Sequence, residues 1–304
     1  MAFENDIKRI DHRNWEDVRN KWLSNIPLYN YSGEIPEHEL FEFNGLDEIY
    51  RKTNQTPGEY KSEVPNLRSE VLREAIFFIH KATHVCGTAI IHLENGVLSW
   101  AISSAYQSSF FALKGILGLV GLSFPRINKS LMIDCFPEEE QLSRNKLKQG
   151  IVPKKELKFV ILSELTHKHL WQIFQRVLRV SKISILEEKV ITFLINLDVE
   201  EFSKQRNALH YKNNYWLFPK DLFERVYDEN FGLNENLFSE LNEKFDSSKN
   251  DFSFFICYIL LKFSIDLIKD LSEYSSSIRD EYYQILATLK EGIHSRFLAS
   301  MVLA

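Results

Sequence analysis

Apolar residues recur at helical spacing in the second quarter of the chain. Between Ser69 and Leu93 they return every three or four positions and form one continuous stripe of about six helical turns. The dipeptide Asn95-Gly96 then favours a helix end, and a second, largely apolar stretch runs on through Leu122. The pattern therefore predicts two long helices, and so short a connection forces them to pack antiparallel.

The second of these helices carries small residues three or four positions apart. They are Ser104, Ser108, Ala112 and Gly115. Small side chains let a neighbouring helix approach closely, and that neighbour is either a core helix of the same chain or the same helix of a second protomer. Gly115, Gly118 and Gly121 follow one another at three-residue spacing, which indicates helix packing rather than a phosphate-binding loop. An NTPase or a dinucleotide-dependent enzyme is therefore disfavoured.

Two regions of different character flank this pair of helices. Residues 1–66 are polar and interrupted by prolines, and we interpret them as an N-terminal arm packed on the core, with Asn14 capping a short helix. Residues 123–184 have the pattern of an insertion, with strand-like runs at 131–133 and 157–162.

Helical spacing returns in the rest of the chain. Helices are predicted at about 167–180, 186–197, 252–271 and 278–301. Residues 67–122 and 185–304 would together form the core, and 304 residues with 44% apolar composition suffice to bury one. We therefore predict a mostly α protein, an up-and-down helical bundle with a small mixed α/β insertion.

Charge and cysteine content narrow the function classes. The net charge of −5 argues against indiscriminate binding to duplex nucleic acid, although it leaves room for a small basic cleft for single-stranded RNA. Cys86, Cys135 and Cys257 lie far apart and predict buried thiols in a reducing compartment rather than disulfides. The N-terminus lacks the pattern of a signal peptide, and polar residues interrupt the apolar stretch at 97–122. We expect a cytoplasmic protein without a membrane span.

The candidate chemistry lies in the segment Arg206-Asn207-Ala208-Leu209-His210-Tyr211. Asp198 and Glu201 have the spacing of a capping box, which predicts that a helix starts just before this segment. On that helix Arg206 and His210 project close together because they are four residues apart. Arginine stabilises charge on phosphoryl oxygens and histidine moves protons near neutral pH, which are the two needs of phosphodiester cleavage. The same spacing also suits two residues that only make surface hydrogen bonds.

Other histidines compete for a functional role. A metal site is suggested by the spacing of His80, His84 and His92, with Cys86 among them. The later pair His167 and His169 suggests another. The first group points in different directions on a helix, and the later pair shares a face only on a strand, so no metal is predicted. Arg73 and His80 form a second arginine–histidine pair, but Glu74 follows the arginine, and we rank this pair below Arg206 and His210.

The chain resembles a known family of small helical domains. Its second long helix carries Ser104-Ala105-Tyr106 followed by Phe110, Ala112, Leu113 and Leu117. That sequence resembles the second core helix of HEPN domains, named for higher eukaryotes and prokaryotes nucleotide binding. In this family a later helix carries an arginine, usually followed by Asn, Asp or His, and a histidine four to six residues further on. Arg206, Asn207 and His210 are similar in composition and order, with three intervening residues instead, and the resemblance covers 67–122 and 185–275.

The resemblance implies a metal-independent endoribonuclease without cofactors, in which a homodimer brings two motifs together. His210 would act as general acid or base, Arg206 would stabilise the transition state, Asn207 would orient either group, and Tyr211 would contact the substrate. Such domains are typical of toxin–antitoxin and phage-defence systems, so RNA and an antitoxin protein are the expected partners. The alternatives are a non-catalytic HEPN-like module that binds a protein, a nucleotide or RNA, and a purely structural subunit.

Overall fold

The described part of the chain is mostly helical, as the sequence predicts. A computed structural model describes residues 14–18, 45–56, 58–64, 67–126, 129–139, 155–181, 183, 185–200, 204, 207, 252–273 and 276–291. Within these ranges the protein has eight helices and one four-stranded antiparallel sheet. The predicted fold class is therefore confirmed.

In chain order the helices are α1 (Trp15–Asp17), α2 (Leu46–Gln55), α3 (Leu67–Glu94), α4 (Leu98–Leu119), α5 (His167–Ser181), α6 (Glu188–Asn196), α7 (Phe252–Ser272) and α8 (Ser276–Glu291). The strands are β1 (Tyr60–Ser62), β2 (Leu122–Ser123), β3 (Leu131–Glu139) and β4 (Lys155–Ile161). The sequence pattern correctly predicts α3 to α7, and α8 begins where expected, while residues 292–301 lie outside the described part. Neither α2 nor β1 was predicted.

Helices α3 and α4 form the antiparallel hairpin that their short connection requires. Near the turn, the Ser104 hydroxyl lies 3.4 Å from Nδ1 of His92. Further along, the Ser108 hydroxyl donates a 2.7 Å hydrogen bond to the carbonyl oxygen of Ala82. Residue numbers rise on α4 while they fall on α3, so the helices run in opposite directions. Gly96 closes the turn with a φ of 72°, a left-handed conformation that glycine adopts without strain.

The small residues of α4 let it approach α3 of the same chain. A Cβ atom built on Gly118 would lie 2.5 Å from Cβ of Ala75, and one built on Gly115 would lie 2.5 Å from Cγ1 of Ile79. Of the two neighbours that the sequence allows, the core helix is therefore the one observed.

Substitution of Gly118 by alanine tests this close approach. We expect Gly118→Ala to lower the free energy of unfolding by about 1–2 kcal/mol, because overpacking outweighs the gain in helix propensity. Gly87 in α3 is the matched control, since a Cβ there would meet no atom within 4 Å. Gly87→Ala should raise the free energy of unfolding by about 0.5–1 kcal/mol. Urea denaturation measures both, and a Gly118→Ala variant as stable as Gly87→Ala would contradict the packing.

The sheet joins three separate parts of the sequence. Its strand order is β1-β4-β3-β2, and every neighbouring pair is antiparallel. Strand β2 corrects the prediction that α4 runs through Leu122, because the helix ends at Leu119 and Gly121 turns the chain with a φ of 85°. Strand β1 pairs with β4, where Tyr60 lies opposite Phe159, so residue 60 of the predicted arm contacts the predicted insertion. The domain boundaries themselves stay a prediction.

Helix α7 lies at the centre of the described core. It packs against α4, and its apolar side chains from Phe254 to Leu271 are buried. The arm is attached here as well, because the indole nitrogen of Trp15 donates a 2.9 Å hydrogen bond to Oδ2 of Asp270. Asn14 caps α1 as predicted, accepting a 2.7 Å hydrogen bond from the amide of Asp17.

Helix α3 is the one described helix whose length and composition would also suit a membrane span. The core helices of soluble proteins share this property. In this fold the apolar stripe of α3 is covered by α4, with Ile76, Ile79 and Ala82 almost fully buried.

Candidate functional site

The predicted Arg206 segment follows α6 in the sequence. Arg206, His210 and Tyr211 lie outside the described residues, whereas Asn207 is described as helical and exposed. The start of the helix is where the sequence predicts it. Oδ1 of Asp198 accepts a 2.9 Å hydrogen bond from the amide of Glu200 and so caps the first turn. Glu201, the other half of the predicted capping box, lies outside the described residues.

Helix α5 contacts the residues that precede this segment at two places. At the first turn of α5, Lys168 forms an ion pair with Glu200, and its hydrogen bond lowers the pKa of the Glu200 carboxyl. Two turns later the buried amide of Gln175 donates hydrogen bonds of 3.1 and 3.0 Å to the carbonyl oxygens of Leu194 and Leu197. These carbonyls belong to the end of α6, where a helix leaves its acceptors unsatisfied. Gln175 thus holds the C-terminal end of α6, which precedes the candidate segment in the sequence.

The first residue of α5 contacts α4. Nδ1 of His167 lies 3.2 Å from the hydroxyl of Tyr106, and its ring stacks on Phe110 with centroids 4.0 Å apart and planes 24° apart. His167 is exposed while Tyr106 is buried, so the histidine covers the edge of the core. His167 and Lys168 are consecutive residues. Together they connect the surface of α4 to Glu200, which precedes Arg206 by six residues in the sequence.

Aromatic rings and lysines alternate on the solvent side of the α3–α4 hairpin. The rings of Phe78 and Phe111 are nearly parallel, with planes 12° apart and centroids separated by 6.2 Å. Nζ of Lys81 lies 4.5 Å from the centroid of Phe111, and Nζ of Lys114 lies 4.2 Å from that of Phe78. Phe110 extends the group towards α5. We call these five residues the aromatic–lysine surface.

His169, one of the competing histidines, and Arg73 have local partners. Nδ1 of His169 accepts a 3.2 Å hydrogen bond from the amide of Thr166, at the start of α5. Arg73 forms an ion pair with Glu70, one turn earlier on the same helix. Across the described ranges, no three His, Cys, Asp or Glu side chains come together in an arrangement that could hold a metal ion.

The three cysteines are buried free thiols, as the sequence predicts. The fold nevertheless brings together two that are distant in sequence, since Cys86 on α3 and Cys257 on α7 share a hydrogen bond. This contact and complete burial raise the pKa of the Cys86 thiol well above its ordinary value. Cys86 therefore remains protonated at neutral pH and is a poor nucleophile.

Comparison with known families supports the resemblance seen in the sequence. The family model of the HEPN domain matches residues 75–133, which include most of α3, all of α4, strand β2 and the first three residues of β3. The match covers 59 of the 304 residues and does not include the Arg206 segment. No curated protein and no solved structure matches the chain. Residues 75–133 thus carry a HEPN domain match, and members of this family often act as ribonucleases.

Proposed function

We propose that this chain, whose residues 75–133 match the HEPN domain, is a metal-independent endoribonuclease. The observation that carries the proposal is the family match itself, because ribonuclease activity is common among these domains. The Arg206 segment adds to it. Its arginine, asparagine and histidine follow the capped helix start at Asp198 in the sequence, in the order that the family motif has.

In the proposed reaction the ribose 2′-hydroxyl attacks the adjacent phosphorus while the 5′-oxygen of the next nucleotide leaves. The products are a 2′,3′-cyclic phosphate and a free 5′-hydroxyl. His210 removes the proton from the 2′-hydroxyl or donates one to the leaving oxygen. The guanidinium of Arg206 stabilises the negative charge that builds up on the phosphoryl oxygens. Asn207 orients one of these groups, and Tyr211 contacts the substrate.

The proposal includes a cytoplasmic homodimer. Two protomers would place their motifs side by side, so that one histidine acts as base and the other as acid. The biological setting that fits such an enzyme is a toxin or a phage-defence effector, which a protein antitoxin would hold inactive.

Incubation of purified protein with cellular RNA in the presence of EDTA tests the proposed reaction. We expect cleavage that leaves 2′,3′-cyclic phosphates and 5′-hydroxyl ends, because the attacking nucleophile is the substrate's own 2′-hydroxyl. Enzymatic treatment of the fragments identifies both ends. A substrate strand with 2′-deoxyribose at the cut positions is the control and should stay intact. Cleavage that requires a divalent cation, or that leaves 3′-hydroxyl ends, would contradict the mechanism.

A non-catalytic HEPN-like module that binds RNA is the second candidate. The observation that favours it is the arginine–histidine spacing, which has three intervening residues where the family has four to six. If a folded dimer binds RNA but does not cut any cellular RNA in EDTA, this second function is the correct one.

A further inference from the structure

The aromatic–lysine surface lies at the margin of the core, where Phe110 and Phe111 pack against buried residues. Contact between α3 and α4 is made by buried residues such as Ala75 and Ile79, which meet Gly118 and Gly115. The phenylalanines of the surface are only partly buried and lie on the outer side of the same helices. Partly exposed aromatic rings leave apolar surface in contact with water, which costs free energy. In the free protein the lysine chains partly cover them.

The local charge of this part of the chain differs from that of the whole. The complete protein has a net charge of −5, yet Glu94 is the only acidic residue between positions 75 and 133. The same stretch contains four basic residues, Lys81, Lys114, Arg126 and Lys129. Lys114 has no carboxylate on its own helix within two turns, whereas Glu74 precedes Lys81 by seven residues on α3. Between positions 75 and 133 basic residues therefore outnumber acidic ones by four to one, which favours the approach of a polyanion to this part of the chain.

The pairing of rings and lysines has the chemistry of a site for single-stranded nucleic acid. Bases stack on aromatic rings regardless of sequence, while ammonium groups contact the phosphates between them. Phe78 and Phe111 offer two rings, and Lys81 and Lys114 are long and flexible enough to exchange a ring face for a phosphate. Duplex RNA keeps its bases stacked on one another and cannot use such rings.

The position of the surface relates it to the proposed catalytic segment. Phe110 stacks on His167, and the next residue, Lys168, pairs with Glu200. Glu200 precedes Arg206 by six residues in the sequence. Two consecutive residues at the start of α5, His167 and Lys168, therefore link the aromatic–lysine surface to Glu200.

We propose that the aromatic–lysine surface binds single-stranded RNA, with bases stacked on Phe78 and Phe111 and phosphates paired with Lys81 and Lys114. This inference rests on the proposed ribonuclease function, for which it supplies the substrate class and a binding site outside the Arg206 segment. A strand held here extends past His167 towards Glu200, which precedes Arg206 by six residues in the sequence. The site discriminates in favour of unpaired RNA and carries little base specificity.

The test measures binding separately from cleavage. The full chain carrying His210→Ala is titrated, in EDTA, into a fluorescein-labelled oligouridine of about twelve nucleotides, and anisotropy gives the dissociation constant. Phe111→Leu keeps an apolar side chain but removes the ring, and we expect it to raise Kd by about 5- to 100-fold. The double substitution Lys81→Ala with Lys114→Ala should flatten the plot of log affinity against log salt by about 1.4, because two phosphate contacts are lost.

A second lysine pair serves as the matched control. Lys52 on α2 and Lys269 on α7 are exposed and lie outside the surface. Replacing both by alanine removes the same charge and should leave both the affinity and its salt dependence unchanged. Equal effects of the two lysine pairs, or an unchanged Kd in Phe111→Leu, would overturn the proposal. Equal affinity for duplex RNA would also overturn it.

Two further outcomes separate this inference from the function on which it rests. If the surface variants change the oligomeric state of the protein, measured as its molar mass by light scattering, but not its affinity for RNA, the surface is a protein interface and the inference fails. If wild type never cuts RNA while the surface variants still weaken binding, the ribonuclease proposal fails and the binding site stands. Thermal melting of each variant verifies that the fold is intact.

Discussion

Substitution of His210 by alanine is expected to slow RNA cleavage by at least about 100-fold, because a positioned general acid or base contributes 100-fold or more to such reactions. Arg206→Ala should cost a similar factor, since it removes the group that the proposed mechanism assigns to stabilising charge in the transition state. Initial rates of cleavage of one labelled RNA, in EDTA and with enzyme in excess, measure both effects. Circular dichroism and melting temperature should match those of the wild type.

The chain supplies a matched control for this experiment in Arg73 and His80. This pair also has an arginine followed by a histidine, but it lies on α3, and Arg73 is paired with Glu70. Arg73→Ala and His80→Ala should leave the cleavage rate within about twofold of wild type. Arg206→Lys separates charge from geometry, because lysine keeps the charge and loses the planar fork, so it should recover only part of the activity. If His210→Ala cuts RNA as fast as wild type, the assignment of the catalytic residues is wrong.

The helical hairpin could be predicted because its signals are local. Every third or fourth residue of α3 is apolar, and the turn is marked by Asn95-Gly96. The glycines of α4 predicted that another helix packs closely against it, although sequence alone left open whether that neighbour was α3 or a helix of a second protomer. Helix α2 had a readable signal too. Its buried residues Leu46, Ile49, Tyr50 and Thr53 have helical spacing, but they lie in a polar region that we interpreted only as an arm.

The sheet and the long-range contacts depend on pairings that no local pattern encodes. Strand β1 has three residues, and its partner β4 begins more than 90 positions later in the sequence. The hydrogen bond between Cys86 and Cys257 likewise joins residues that share no motif, because it depends on how α7 packs against the hairpin. Such contacts are decided by tertiary packing rather than by propensity.

The aromatic–lysine surface lies between these two cases. Both helices contain a phenylalanine followed three residues later by a lysine, at Phe78 with Lys81 and at Phe111 with Lys114. The repeated spacing was available in the sequence. The sequence did not show that each lysine covers the ring of the other helix. That pairing depends on the register between α3 and α4.

Substitution of Gln175 by leucine should show that the proposed cleavage activity depends on the hydrogen bonds by which α5 holds the end of α6. The side-chain amide of Gln175 is buried and donates to the carbonyl oxygens of Leu194 and Leu197. Leucine leaves both acceptors without this donor inside the protein, which we expect to lower the free energy of unfolding by about 2–4 kcal/mol. Under the proposed mechanism cleavage should also fall, because the end of α6, which precedes the Arg206 segment in the sequence, is no longer fixed. Urea denaturation and cleavage rates measured well below the midpoint separate the two effects.

Two variants make the role of the Gln175 amide specific. Gln172, one turn earlier on α5, is only partly buried, and Gln172→Leu should change the free energy of unfolding by no more than about 0.5 kcal/mol. Gln175→Glu keeps the size of the side chain but places a buried carboxylate against two carbonyl oxygens, which raises the pKa of the new group in the folded state. The folded protein then binds the proton more tightly than the unfolded chain, so this variant should gain stability relative to wild type as the pH falls from 7 towards 4. A Gln175→Glu variant whose stability follows the wild type at every pH would show that the amide does not hold α6.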